Sequence, residues 1–251
     1  MTERQLSRSS SYRLGTGRPV SELPLALADL HHSLSPGERI ACSLKPMPDN
    51  GWSPQRAIDL FIGAGFAPIS TTVVDGDTIV IEANRIRSLP DSVGPRMRLL
   101  IVGLNPSPYS ADHAIGYARP GNRFWPAALE AGVVSVDRDP QHALRCHGLG
   151  MTDLVRRTTV RADEIERSEF VSGFARVERL AAWLQPKVAC FIGLGGWRAV
   201  VGRKAVVGVQ ARTIGGRPVY VMPHTSGLNA RSRIGELVEH FQAAAELADE
   251  F

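Results

Sequence analysis

The chain has 251 residues, 43% of them hydrophobic and 22% charged, which supports one large or two modest packed domains and excludes bulk disorder. No apolar run of roughly 18 residues exists, so no membrane-spanning helix is expected. The polar, basic start MTERQLSRSSSYRLGTGRP lacks the apolar stretch of a secretory signal, so a cytoplasmic location is expected. The net charge of +4 suits a polyanionic partner without specifying one. Cys42, Cys146 and Cys190 are far apart and form no CxxC pair, so they read as reduced thiols and no disulfide, zinc site or iron–sulfur cluster is expected.

Residues 1–18 are rich in Arg and Ser and are read as a disordered tail. The apolar spacing of ELPLALADLHHSL predicts a helix over 22–34. SPG is a turn, and a short strand follows over 39–44. SPQRAIDLFIGAGF is predicted to be a helix capped by Ser53, with Pro54 at its first position and Gly63 or Gly65 at its end. Residues 69–74 and 78–83 flank VDGD and are predicted to pair as a hairpin. Together, residues 19–86 form a small α+β unit. LHHSLSPGERI, IDLFIGAGF and VVDGDTIVIEA in it resemble the C-terminal end of a class I S-adenosylmethionine methyltransferase. The glycine-rich cofactor loop of that family has no counterpart here, since GTG at 15–17 is read as following no strand. No methyl transfer is expected, only a remnant used for packing or partner contact.

Residues 87–96, RSLPDSVGPR, are rich in Pro, Gly and Ser and read as a linker. Beyond them, three continuous apolar runs enter glycine-containing or polar loops: RLLIVGLNP, KVACFIG and RPVYVMP. Such runs, with helices between them, read as buried parallel strands. Helices are predicted over 122–131, 168–184 and 233–247, the last with Ile234, Leu237, Val238 and Phe241 on one face. The fold class is therefore α/β, a three-layer α/β/α domain over residues 97–251 with a central, mostly parallel four-stranded sheet. Function is expected in loops at the carboxyl ends of its strands.

Two of those loops carry unusual residues. In GLNPSPYSADHAIGYARPGNRFW, Asn105 is a carboxamide held in a loop stiffened by Pro106 and Pro108, Tyr117 offers an aromatic face, and Asn122 is placed to cap the next helix. An amide, an aromatic plate and helix-terminal N–H groups are what recognition of a flat polar nucleobase requires. In MPHTSGLNARSR, Leu228 is an apolar tip flanked by Asn229, Arg231 and Arg233. An exposed leucine beside cations fits a wedge that fills the space left by an extruded nucleotide, with the cations on phosphates.

GLNP, YARPGNRFW and HTSGL, with GMTDLVRRTTVRADEIE between them, resemble the mismatch-specific uracil-DNA glycosylase / thymine-DNA glycosylase family over residues 97–251. The resemblance implies the uracil-DNA glycosylase-like fold. It implies a monofunctional glycosylase that flips and excises uracil from G:U-type mismatches, acting as a monomer on double-stranded DNA with neither cofactor nor metal. By the same resemblance Asn105 orients the attacking water, while Gly103, Leu104 and Ser110 line the base pocket. Tyr117 stands where a Phe usually stacks on the base, and Asn122 and Arg123 are structural. Leu228 is the wedge, and the backbone of Gly227 and Asn229 meets the orphan guanine. Two departures stand out: Ser107–Pro108 replaces the Gly after NP, and His224 stands where Asn is frequent. His224 either donates to the departing pyrimidine, as in other uracil-glycosylase families, or only packs in its loop. An amide cannot take a proton near neutral pH, so the glycosidic bond has to break largely before water adds. Two alternatives stay open: another lesion (ethenocytosine, thymine or hypoxanthine), and a catalytically silent lesion-binding protein. Asp112 is read as a solvated loop acid with a conceivable general-base role, Asp153 as a further carboxylate near the blocks, His113 and His147 as isolated, and GLGGW at 193–197 as a tight strand–helix turn.

Overall fold

The computed structural model describes residues 10–47, 51–227 and 233–251. The chain divides into two compact units, one ending at Arg87 and the other beginning at Ser88.

The first unit contains β1 (Ser10–Leu14), α1 (Leu23–Ser33), β2 (Arg39–Leu44), α2 (Pro54–Gly63), β3 (Phe66–Asp75) and β4 (Thr78–Arg85). Its sheet has the order β1-β2-β4-β3, with β1 parallel to β2 and the other pairs antiparallel. Alternation explains β2 and β4: Ile40, Cys42 and Leu44, with Ile79, Ile81 and Ala83, are buried while their neighbours are less so. The Ser53 hydroxyl accepts the Arg56 N–H and caps α2, with Pro54 in its first turn, as the sequence implies. The tail expectation is corrected in part. Residues 10–14 form an edge strand in register with Ile40–Leu44, and GTG therefore does follow a strand. That strand escaped detection because it is short, polar and largely exposed, as edge strands often are.

The second unit contains β5 (Leu99–Gly103), α3 (Pro108–His113), α4 (Phe124–Glu130), α5 (Pro140–His147), β6 (Leu149–Asp153), α6 (Arg167–Leu184), β7 (Val188–Ile192), α7 (Leu194–Val200), β8 (Gly208–Ile214), β9 (Arg217–Met222) and α8 (Ile234–Asp249). The sheet order is β6-β5-β7-β9-β8. The first four strands are parallel, and β8 adds a fifth, antiparallel edge strand through a Gly215–Gly216 turn in which both glycines have positive φ. Every residue of β5 and β7 is buried, because helices cover both faces. On one face Leu99, Ile101 and Cys190 pack with Phe124, Trp125, Leu237 and Phe241 of α4 and α8. On the other, Phe191 meets Phe174 of α6 and Trp197 of α7. Leu237, Val238 and Phe241 are buried as expected of α8, but Ile234 lies at its exposed end. α6 starts one residue before the predicted Ser168, at a capping box made by Glu166 and Glu169.

Residues 88–96 are not a linker. Ser88, Asp91 and Val93 are buried, and Ser92 exchanges both backbone hydrogen bonds with Met151, covering the outer edge of β6. The segment is held because Asp91 is a buried counter-ion for two arginines, a role its Pro- and Gly-rich composition conceals.

Candidate active site

The carboxyl ends of β5, β6, β7 and β9 surround a cleft of about 490 Å³, the scale of a small-molecule site. β5 ends at Gly103, and the chain leaves through Leu104 and Asn105. The Ser107 hydroxyl accepts the Ser110 N–H and caps α3, with Pro108 in its first turn. The Ser107–Pro108 departure is thus a helix start that stiffens the cleft wall. Asn105 donates from Nδ2 to the Arg157 carbonyl at 3.1 Å and to the Thr159 hydroxyl at 2.8 Å. With the nitrogen committed, the amide oxygen is oriented as an acceptor in the cleft.

Tyr117 has φ +58°, a conformation held by its packing. Its ring lies flat on Phe124, centroids 4.1 Å apart, so only the opposite face can receive another ring. The Asn122 carboxamide accepts the Phe124 N–H at 2.9 Å and begins α4, and the Trp125 indole donates to the Gly116 carbonyl. The NRFW block therefore anchors the plate rather than lining a pocket with its aromatic rings.

The loop after β9 meets the same cleft. Arg123 Nη2 donates to the Ser226 carbonyl, and the Arg123 N–H to the Thr225 carbonyl, both at 2.9 Å. A Cβ on Gly227 would come within 2.5 Å of the Gly121 carbonyl oxygen, so a side chain there would push the two loops apart. His224 opens on the cleft mouth within a concave wall. The surrounding protein, and then the Arg123 charge, hold its imidazole below the usual histidine range. Its Nδ1 accepts the Ser226 N–H at 3.0 Å, which puts the proton of the neutral ring on Nε2 and makes that atom a donor. Gly193, with φ +91°, leaves room for this ring: a Cβ there would lie 3.1 Å from His224 Cδ2.

Sequence reasoning missed the polar floor. Asp91 binds Arg156 Nη1 at 2.8 Å and Arg176 Nη1 at 2.7 Å, and accepts from the Thr152 hydroxyl at 2.7 Å. Arg176 also reaches the Thr152 hydroxyl and the Asp153 carbonyl, and Arg156 donates to the Leu89 carbonyl. Asp153, noted in the sequence only as a carboxylate near the family blocks, is buried at the end of β6 and faces the cleft. Burial pushes its carboxyl up to about 6, against the pull of Arg156, with Asp91 raising it and Arg176 lowering it. The adjacent TDLVRR was legible only as part of the central stretch that carries the family resemblance, since its partner Asp91 is about sixty residues away in a stretch that looks like a linker.

Leu104, Asn105, Ser110, Tyr117 and His224 thus line one cleft, whereas Gly103 is not among its lining residues, and a Cβ there would meet Asp153 and Tyr117. Gly227 lies on the loop beside it, while Leu228, Asn229 and Arg231 lie outside the described residues. Asp112 does not line the cleft, His113 stacks on Tyr109, and His147 pairs with Ser135. Of GLGGW only Gly193 is the turn between β7 and α7, and Leu194–Trp197 already belong to the helix. No group of metal-ligating side chains forms among the described residues, and none of their helices is long and apolar enough to cross a membrane.

The family model for the uracil DNA glycosylase superfamily matches residues 90–247. Among solved structures, the chain is similar to the solution NMR structure of a "putative Uracil DNA glycosylase" from Methanosarcina acetivorans. Identity is 21% over 64% of this chain and 97% of that one, with a TM-score of 0.46. A fainter likeness to an alphavirus P23pro-zbd structure has 10% identity, covers 92% of this chain and 39% of that one, and has a TM-score of 0.21. The family match covers well over half the chain, and on it the chain belongs to the uracil DNA glycosylase superfamily.

Proposed function

We propose that this protein is a monofunctional DNA glycosylase that extrudes uracil from G:U-type mismatches in duplex DNA and hydrolyses its N-glycosidic bond. One observation carries the proposal: the Asn105 carboxamide, the free face of Tyr117 and the His224 ring converge on one cleft from three separate loops. A flipped pyrimidine stacks on Tyr117, extending the Tyr117–Phe124 pair by one ring. A water donating to Asn105 Oδ1 has its lone pair free for the anomeric carbon. Because the amide cannot accept that proton, the bond to the base breaks first, water captures an oxocarbenium-like sugar, and the water's surplus proton ends on the pyrimidine anion, which leaves as the neutral base. The electrons leave on the pyrimidine, and a neutral imidazole donating from Nε2 to its carbonyl stabilises that anion without first being deprotonated.

A mismatched base is cheaper to extrude than a paired one, which supplies part of the selectivity. Gly227 and Asn229 meet the orphan guanine, Leu228 serves as the wedge and Arg231 holds phosphate. The unit up to Arg87 stands as a methyltransferase-like remnant without methyl transfer. The test is a panel of duplexes, each with one lesion (uracil, thymine, ethenocytosine or hypoxanthine opposite guanine), treated with alkali after incubation. Scission at uracil in the G:U duplex supports the proposal. Preference for another lesion reassigns the substrate, and binding without scission on any duplex makes the protein a lesion binder.

A further inference from the structure

The chain has 25 acidic residues, yet none of them falls between Glu178 and Glu236, where nine arginines and lysines do. The net charge of +4 belongs to the second unit, since residues 1–87 have nine basic and nine acidic residues. Part of the acid-free stretch returns to the end of the sheet where the cleft opens. β8 runs antiparallel to β9, so Gly208 at its start stands opposite Val221 near the end of β9, and Ile214 at its finish opposite Arg217. The loop between α7 and β8, residues 201–207, therefore emerges beside the carboxyl end of β9, level with the chain that leaves toward His224. Side chains hold the loop in place. Arg198 donates from Nε at 2.9 Å and from Nη2 at 2.6 Å to the Ala205 carbonyl, and Gln210 Nε2 donates to the Val206 carbonyl at 2.8 Å. The Ala205 N–H closes a turn on the Gly202 carbonyl at 3.1 Å, with Arg203 and Lys204 at its two central positions. Both are exposed, with no hydrogen-bond or ion-pair partner among the described residues. Apart from Arg119 at the mouth, the described arginines around the cleft are committed: Arg123 to the Ser226 carbonyl, Arg156 and Arg176 to Asp91, Arg157 to Glu169 and Arg161 to Asp163. The other end of the sheet has the reverse charge, for residues 157–169, after β6, have four acids against three arginines.

We propose that Arg203 and Lys204 form a second DNA-backbone site, which grips the duplex about four base pairs from the extruded nucleotide and on the β8 side only. The inference rests on the glycosylase reading above and adds where the rest of the duplex lies. Three strand spacings separate β5, which leads to Asn105, from β8 in the order β5-β7-β9-β8. At roughly 4.8 Å each, they place the loop about 14 Å from the reacting end of β5. A duplex laid across the strand ends advances about 3.4 Å per base pair, so that distance is about four steps. The ligand's chemistry follows from the donors. Adjacent cations without a carboxylate partner break no ion pair on meeting a phosphate, and each contact releases a counterion condensed on the DNA. The loop is already fixed by Arg198 and Gln210, so little ordering is left to oppose binding. A duplex extending the other way would approach Asp163, Glu164 and Glu166, and like charge opposes that direction. Backbone contacts read no sequence, so the site strengthens and orients binding without selecting the lesion.

Two measurements test it. In the first, wild type and the Arg203→Gln/Lys204→Gln double variant are titrated with an undamaged duplex between about 50 and 200 mM salt, a readout that needs no excision. The variant's plot of log affinity against log salt is expected to be shallower by about 1–2, and its affinity at about 0.1 M salt at least tenfold lower. Equal slopes in the two proteins overturn the inference. The second uses a duplex with uracil opposite guanine on a 2′-fluorinated sugar, which resists cleavage. One phosphate at a time, on each strand and either side of the uracil, is replaced by an uncharged methylphosphonate. Wild type is expected to lose affinity about three to five steps away on one side and not at that distance on the other. The double variant is expected to be indifferent to the same replacements. Losses symmetric about the uracil, or equal losses in both proteins at that distance, overturn the inference. Excision is followed in parallel. Binding with the expected slope change but no abasic site from wild type refutes the glycosylase and leaves the phosphate site standing, whereas excision with an unchanged slope does the reverse.

Discussion

Burying Asp153 at the end of β6 costs stability at neutral pH, and the size and sign of that cost follow from its position. Its carboxyl moves from the ordinary 3.8 to about 6. A folded pKa raised above the unfolded value means that the folded state favours the neutral acid, so stability is lost as pH rises through the interval between the two values. The cost is absent below the unfolded value, accumulates between it and about 6, and is complete above. Two pH units correspond to about 3 kcal/mol, an upper figure because the cleft relaxes and admits water. Asparagine has nearly the shape of the neutral acid and does not titrate. Asp153→Asn is therefore expected to raise the melting temperature at pH 7.5 by on the order of 5 °C, with the gain shrinking through pH 5 and gone by pH 4. Thermal unfolding of the full chain at pH 4, 5.5 and 7.5 measures it. A variant less stable than wild type at pH 7.5 would mean that attraction to Arg156 and Arg176 outweighs burial, and a gain independent of pH would mean that ionisation is not its origin. Either result refutes the reasoning.

Gly103→Ala is expected to cost about 1–3 kcal/mol of stability and most of the excision activity. Its Cβ would enter the space of Asp153 and Tyr117, and retained activity at wild-type stability would show that the floor is roomier than described. Asp91→Ala deprives two buried guanidiniums of their shared carboxylate and is expected to cost about 3–5 kcal/mol, read by chemical denaturation; a change under 1 kcal/mol, well below that range, would contradict it. His224→Ala is expected to slow single-turnover excision on the order of 10²-fold, as for loss of one donor to a developing anion. An unchanged rate would restrict His224 to holding Ser226 in its loop.

Much of this was legible in the sequence because its signals are local. Continuous apolar runs marked β5, β7 and β9, Ser53 with Pro54 marked the start of α2, and the GLNP and YARPGNRFW blocks drew attention to Asn105 and Tyr117, which line one cleft with His224. What failed depended on distant partners. β8 alternates polar residues along an exposed edge and is held by its hairpin with β9, and β1 is fixed only by the edge of β2. The segment 88–96 has the composition of a linker, yet Asp91 makes it part of the domain through arginines 65 and 85 positions away. Asp153 was legible only as a carboxylate near the family blocks, because nothing nearby in the sequence announces burial. Its environment is assembled from β5, α6, the segment before β5 and the Tyr117 loop.

The most direct test of a base-excising cleft is single-turnover cleavage of a G:U duplex by wild type and Asn105→Ala, with alkali revealing abasic sites and a binding assay run in parallel. Wild type is expected to yield scission at the uracil, and the variant to lose on the order of 10²–10³ in rate while still binding the duplex. Equal rates in the two proteins, or no abasic site from wild type, would contradict the central claim.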